Sequence, residues 1–241
     1  MNENKSITLL QLYPQDMNIY GDWGNTLTLK RRLEWHGYTV KLLEYNAGDT
    51  FPDNVDIIVG GGGQDSGQTR IGNDLLGIGK KLRHLADDGV PMLMVCGLYQ
   101  LFGHFFKTKD GETIQGIGLL DITTTGGDKR LIGNIVTQSD QFGLIIGYEN
   151  HSGLTQLGEN VVPLGTVIRG AGNNNQDAHE GARYNNVIGT YLHGSILPKN
   201  PAIADWLIEQ AAVRKYGEFQ PSVIDDRFAD LARDVAGRRP R

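Results

Sequence analysis

The sequence predicts an α/β fold with a mainly parallel central sheet flanked by helices, and three observations predict it. Apolar, β-branched runs alternate with segments of helical periodicity. Glycine-rich or polar loops separate them. The run at 90–95, Val-Pro-Met-Leu-Met-Val, is apolar throughout, as a central parallel strand covered on both faces must be.

Ser6–Leu12 reads as a buried strand, residues 24–36 as a helix with apolar positions at Leu27, Leu29 and Leu33, and Thr39–Tyr45 as the next strand. A short strand at 56–59 runs into Gly60-Gly61-Gly62-Gly63. Leu75, Leu76, Ile78, Leu82 and Leu85 have the spacing of a helix over 75–86, and after the 90–95 strand the next helix spans 98–106. From Ile114 to Ile168 the pattern changes to short strands at 131–136, 143–148 and 161–168 with turn glycines between them, which reads as antiparallel. Residues 170–181, with Asn173-Asn174-Asn175, are polar and turn-rich and predict a surface loop. A strand at 187–192, an amphipathic helix at 202–216 and a last helix at 226–236 precede a basic stretch at 238–241.

The bulk numbers narrow the function classes. At 241 residues, 39% hydrophobic and 21% charged, the chain can build a core without disulfides or metal staples. A net charge of −5 gives no electrostatic reason to expect nucleic acid or an anionic membrane as partner. No apolar run approaches the roughly 18 residues that span a bilayer, and the polar start Met1-Asn2-Glu3-Asn4-Lys5-Ser6 is unlike a signal peptide, so no integral membrane segment and a cytoplasmic location are expected. No repeat, Pro-rich linker or boundary divides the chain, and a single domain over residues 1–241 is expected.

The one cysteine, Cys96, excludes an internal disulfide and any multi-cysteine zinc site, and no metal site is expected. It ends the 90–95 strand with Gly97 behind it, where a helix begins. There it is either a buried small hydrophobe or a nucleophile at a strand-to-helix elbow, where the helix dipole favours thiolate. A nucleophile needs a base. Of the six histidines, His36, His84 and His104 fall in or beside helices and His179 in the polar loop. His193 follows a strand and precedes a glycine, placing it at the carboxyl edge where α/β proteins gather their sites; His151 is the less favoured candidate.

The glycine run at 60–63 offers backbone N–H groups free of side chains. It is unlike a phosphate loop, lacking the lysine and the Gly-x-Gly-x-x-Gly spacing, and reads instead as part of an oxyanion hole built from Gly63 and Gly97 N–H, or as a flexible turn.

Taken in order, Gly60 to Asp65, Cys96-Gly97-Leu98-Tyr99-Gln100, Gly147-Tyr148-Glu149-Asn150-His151 and Tyr191-Leu192-His193-Gly194 resemble the CobB/CobQ-like class I glutamine amidotransferases. The resemblance covers most of the chain. The segments from Met17 to Asn25 and from Gly127 to Asn134 are similar to the members that serve lipid II amidation beside a Mur-ligase-like subunit, MurT. It implies a class I amidotransferase-like fold in which Cys96 is the nucleophile, His193 the general base and then acid, and Arg130 a binder of L-glutamine. Gln100 either helps to position the glutamine or is an exposed helix residue. It implies no cofactor in this chain, with ATP and magnesium on the partner, and amidation of the D-glutamate α-carboxyl of the stem peptide. Many triad amidotransferases carry an acidic residue two positions after the histidine, whereas here Ser195 stands there. The resemblance therefore implies that an aspartate of the partner completes the site. Another acceptor, of the cobyric acid type, a non-catalytic regulatory role on the same fold, and a cysteine peptidase or hydrolase of similar fold are the alternatives.

Overall fold

The computed structural model describes residues 5–193 and 195–241; the polar start 1–4 and Gly194, last residue of the Tyr191 to Gly194 motif, lie outside the described residues. In chain order the elements are β1 (Ser6–Leu12), α1 (Trp23–Trp35), β2 (Thr39–Tyr45), β3 (Ile57–Gly60), α2 (Asp65–Asp87), β4 (Met92–Val95), α3 (Gly97–Phe102), β5 (Phe105–Lys107), β6 (Thr113–Gln115), β7 (Ile122–Ser139), β8 (Gly143–Leu157), β9 (Gly165–Arg169), β10 (His179–Glu180), β11 (Ala182–Tyr184), β12 (Val187–Thr190), β13 (Leu192–His193), α4 (Ile196–Lys199), α5 (Pro201–Tyr216) and α6 (Arg227–Arg238).

The expected parallel sheet is a 6-stranded one in the order β11-β12-β4-β3-β1-β2. All its pairings are parallel except β11 with β12. Every residue of β3, β4 and β12 is buried, which is why these strands read as continuous apolar runs. Helix α5 shows how local sequence sets an element's ends. Pro201 opens it, its fixed φ suiting the first turn. Gly217 closes it at φ 77, donating its N–H to Val213 O.

The stretch from 114 to 168 supplies most of a second, 7-stranded sheet, completed by β5, β10 and β13 and dominated by the long antiparallel hairpin of β7 and β8. One hydrophobic cluster runs through both sheets, from Leu9 and Leu93 to Ile135 and Ile145. Strand β13 pairs with β8, setting His193 opposite Tyr148, so the chain crosses between the sheets through Tyr191.

Three expectations are corrected. Helix α2 begins at Asp65 rather than Leu75. Gly67 and Gly72 lower helical propensity ahead of Leu75, and Gly77 and Gly79 beyond it; a Cβ on Gly79 would lie 2.9 Å from Ile117 Cγ2, so glycine there permits close packing. Helix α3 stops at Phe102 and Phe105 already belongs to a strand, so His104 lies between them with Nε2 2.9 Å from Asp121 Oδ1. Residues 170–181 are a surface loop only in part: 175–178 are exposed, but Asn173, Asn174 and Glu180 are buried and hydrogen-bonded, because polar partners meet them inside.

Candidate active site

The carboxyl ends of β1, β3, β4 and β12 share one edge of the parallel sheet, fixed by Leu12 pairing with Gly60, Gly60 with Met94 and Thr190 with Val95. The loops leaving that edge carry Asp22, the glycine run, Cys96 and His193. Cys96 adopts φ 51 and ψ −102, the strained turn of a nucleophile elbow, and Gly97 opens α3 directly after it. Its N–H donates to Thr190 O at 2.8 Å, tying the elbow to the strand that leads to His193. The sulfur side faces a cleft of about 410 Å³ lined also by Tyr20, Gly63, Asp65, Arg130 and Asn150.

His193 is fully buried, with Asp22 Oδ1 3.4 Å from its Nδ1. The other carboxylate oxygen of Asp22 accepts the Gly62 N–H at 2.7 Å, which fixes it in place. Nε2 has no hydrogen-bond partner among the described residues and is the nitrogen left for a reacting group. Burial of the ring opposes its protonation, but the Cys96 sulfur and the Asp22 carboxylate outweigh burial and push its pKa up to about 10. The arrangement favours a charged imidazolium beside the sulfur. Tyr20, held at φ 57, sets its ring edge-on against His193 with centroids 5.1 Å apart.

The glycine run is required by close approach. A Cβ on Gly62 would sit 2.9 Å from His193 Cε1 and 3.0 Å from Cys96 Cβ, so any larger residue pushes the two reactive side chains aside. A Cβ on Gly97 would lie 3.1 Å from the Gly63 nitrogen, so the two segments expected to form an oxyanion hole are in contact beside Cys96.

Arg130 lines the same cleft from β7, its Nε donating to Asn150 Oδ1 at 2.8 Å. Gln100 does not join them. Its Oε1 accepts from Gln68 and its Nε2 donates to the Tyr191 hydroxyl, so it lies buried behind the elbow rather than lining the cleft or standing exposed on a helix. His151 is also internal, stacked on Tyr191 at 3.6 Å, its Nδ1 2.8 Å from Gly153 O, and burial lowers its pKa to about 3. Among the described residues no group of three or more His, Cys, Asp or Glu is placed to hold a metal ion, and no helix is long and apolar enough to cross a membrane.

A model of the CobB/CobQ-like glutamine amidotransferase domain matches residues 8–201. The chain belongs to this amidotransferase family.

The amidotransferase chain is 41% identical over 231 residues to the GatD subunit of the glutamine-hydrolyzing lipid II isoglutaminyl synthase of Staphylococcus aureus, a match covering 95% of this chain and 94% of that one. To the subunit of the same name from Streptococcus pneumoniae it is 38% identical, over 88% and 83% of the two chains. The fold is that of class I glutamine amidotransferases: a glutamine amidotransferase from Thermotoga maritima matches with a TM-score of 0.57 over 95% of this chain and 93% of that one, at 13% identity.

Of the residues singled out in the sequence, Cys96, Arg130 and Gly63 line the cleft, His193 and Gly97 lie against the glycine run beside it, and Gln100 does not reach it. Two positions after His193, where many triad amidotransferases carry an acidic residue, stands Ser195. Within this chain a carboxylate does stand at Nδ1: Asp22 Oδ1, 171 positions away in the sequence, lies 3.4 Å from it. Asp22 and Tyr20 belong to the segment from Met17 to Asn25 whose likeness to lipid II amidating members was legible, and that likeness was the one signal pointing to them.

Proposed function

We propose that this chain is the glutaminase subunit of a lipid II amidating synthase. It hydrolyses L-glutamine to glutamate and ammonia, and a Mur-ligase-like partner of the MurT kind uses the ammonia to amidate the D-glutamate α-carboxyl of the stem peptide. The observation that carries this reading is the likeness to GatD subunits along nearly the whole of both chains. Cobyric acid type amidation fits less well, because that likeness includes the segments special to lipid II amidating members. The reaction runs in the cytoplasm and needs no cofactor on this chain, ATP and magnesium belonging to the partner.

The side chains supply each step. Cys96, as thiolate beside the His193 imidazolium, attacks the side-chain amide carbon of glutamine, and the oxyanion that forms is held by the N–H groups of Gly63 and Gly97. His193 gives its Nε2 proton to the amide nitrogen, ammonia leaves and a glutamyl thioester remains. The now neutral His193 takes a proton from water, hydroxide adds to the thioester carbon, and collapse returns glutamate and the thiolate. Asp22 holds the ring so that Nε2 faces the sulfur. Arg130, kept in the cleft by Asn150, grips the α-carboxylate of glutamine, a task for which its planar fork is suited.

The experiment is ammonia release from glutamine by the purified chain, alone and with its Mur-ligase-like partner, comparing wild type with Cys96→Ala. Glutaminase activity that requires Cys96 and rises with the partner is the expected outcome. No release in either condition by a folded, complexed protein would sink the proposal in favour of a non-catalytic regulatory role.

A further inference from the structure

Behind the elbow lies a carboxylate that the reaction above does not use. Glu180 is fully buried, and its Oε1 accepts both the Thr190 hydroxyl and the Tyr191 N–H, each at 2.9 Å. These two residues are the crossover between the sheets, since β12 ends at Thr190 and β13 begins at Leu192. The crossover serves both reactive groups at once. Thr190 O accepts the Cys96 N–H, and the Thr190 hydroxyl oxygen accepts the Leu192 N–H at 3.1 Å, one residue before His193. A single carboxylate oxygen therefore organises the junction from which the elbow and the base are both suspended.

Glu180 is itself rigidly placed. Leu164 N–H donates to its carbonyl, and the following Gly181, at φ 65, exchanges hydrogen bonds with the buried Asn173 side chain. Its Oε2 has no hydrogen-bond partner among the described residues. Burial raises its pKa to about 7, and the buried Glu149 carboxylate adds to the rise. A buried carboxyl with one oxygen unpaired detracts from stability, so its presence calls for a gain elsewhere. The side-chain hydrogen bonds of Glu180 go to Thr190 and Tyr191, so the gain is sought there.

We infer that Glu180 is a positioning residue for the Cys96 and His193 pair, acting through its two hydrogen bonds to the Thr190–Tyr191 crossover. The inference rests on the glutaminase reading, and deepens it.

The test compares Glu180→Ala and Glu180→Gln with wild type in the full chain, bound to its partner, reading glutaminase kcat and KM, the rate of Cys96 alkylation by iodoacetamide, and the melting midpoint. Glu180→Ala is expected to lower kcat about 100-fold, the order reached when reacting groups are misplaced by about an ångström, and to slow alkylation. KM for glutamine should change less than about threefold, because the residues that line the cleft are untouched. Glu180→Gln, whose amide oxygen can accept both bonds, should recover most of the loss, which a bulk effect of charge removal would not allow. A folded Glu180→Ala with wild-type kcat and alkylation rate, or with raised KM alone, overturns the inference. Should Glu180→Ala fail to fold, Glu180→Asp, whose carboxylate is one methylene short of both donors, takes its place: a fall in kcat of about tenfold with unchanged KM supports the inference, and unchanged kcat overturns it. If the wild type itself releases no ammonia, the function reading has failed, while alkylation still decides whether Glu180 positions Cys96.

Discussion

The two walls of the cleft are built from different materials. The wall on the parallel-sheet edge is built from short segments that leave strand ends: Ile19 and Tyr20 after β1, Gly63 to Ser66 after β3, and Cys96 after β4. The opposite wall, on the β7–β8 hairpin, presents long side chains, with Arg130 held by Asn150 across the two strands. The first wall is suited to bond-making, because strand termini fix atoms firmly; the second is suited to gripping an amino acid. His193 belongs to the hairpin sheet but works on the first wall, and its contact with Asp22 joins the two. Substitutions should therefore sort by wall: first-wall and joining residues change kcat, hairpin residues change KM.

The largest effect should come from cutting the join. Asp22→Asn keeps the shape but offers Nδ1 an amide in place of a carboxylate, so the ring loses its preferred tautomer and the stabilisation of its charge. A fall in kcat of about 100-fold or more with little change in KM is expected in steady-state glutaminase assays. A mild effect would return the third role to a partner residue.

Arg130→Lys is expected next. Lysine keeps the charge but loses the fork, so KM for glutamine should rise about tenfold while kcat holds. A fall in kcat at unchanged KM would break the division between the walls.

The remaining effect concerns stability rather than rate. His151 has a folded-state pKa near 3, below its ordinary value of 6.5, so the neutral ring is favoured by folding. The contribution is complete above about pH 6.5 and is lost as pH falls towards 3, at about 1.4 kcal/mol for each tenfold difference in proton affinity between the folded and unfolded chain. Melting curves from pH 7 to 4 should show His151→Phe, which keeps the stack on Tyr191, declining less steeply than wild type. Equal slopes would show that the ring does not titrate as its burial requires.

Glu149 shows how the hairpin wall hid from the sequence. Its carboxylate accepts the Ala171 and Gly172 N–H groups and pairs with Arg241 at 2.8 Å, drawing the basic stretch and the polar 170–181 segment against one buried strand. Polar composition normally marks a surface, and here it marks partners supplied from afar.

What the sequence determined by itself was whatever depends on neighbours along the chain: the buried parallel strands from their unbroken apolar runs, the strand-to-helix junction at Cys96 and Gly97, and the helix over 202–216 from its amphipathic pattern. These features follow from sterics and hydrophobic period acting over a few residues. Tertiary structure alone decided what depends on folded proximity: that Asp22 serves His193, that Gln100 turns inward, that α2 tolerates its glycines, and that Glu180 lies beneath the crossover. Each joins groups far apart in sequence, and only the packed sheets bring them within hydrogen-bonding distance.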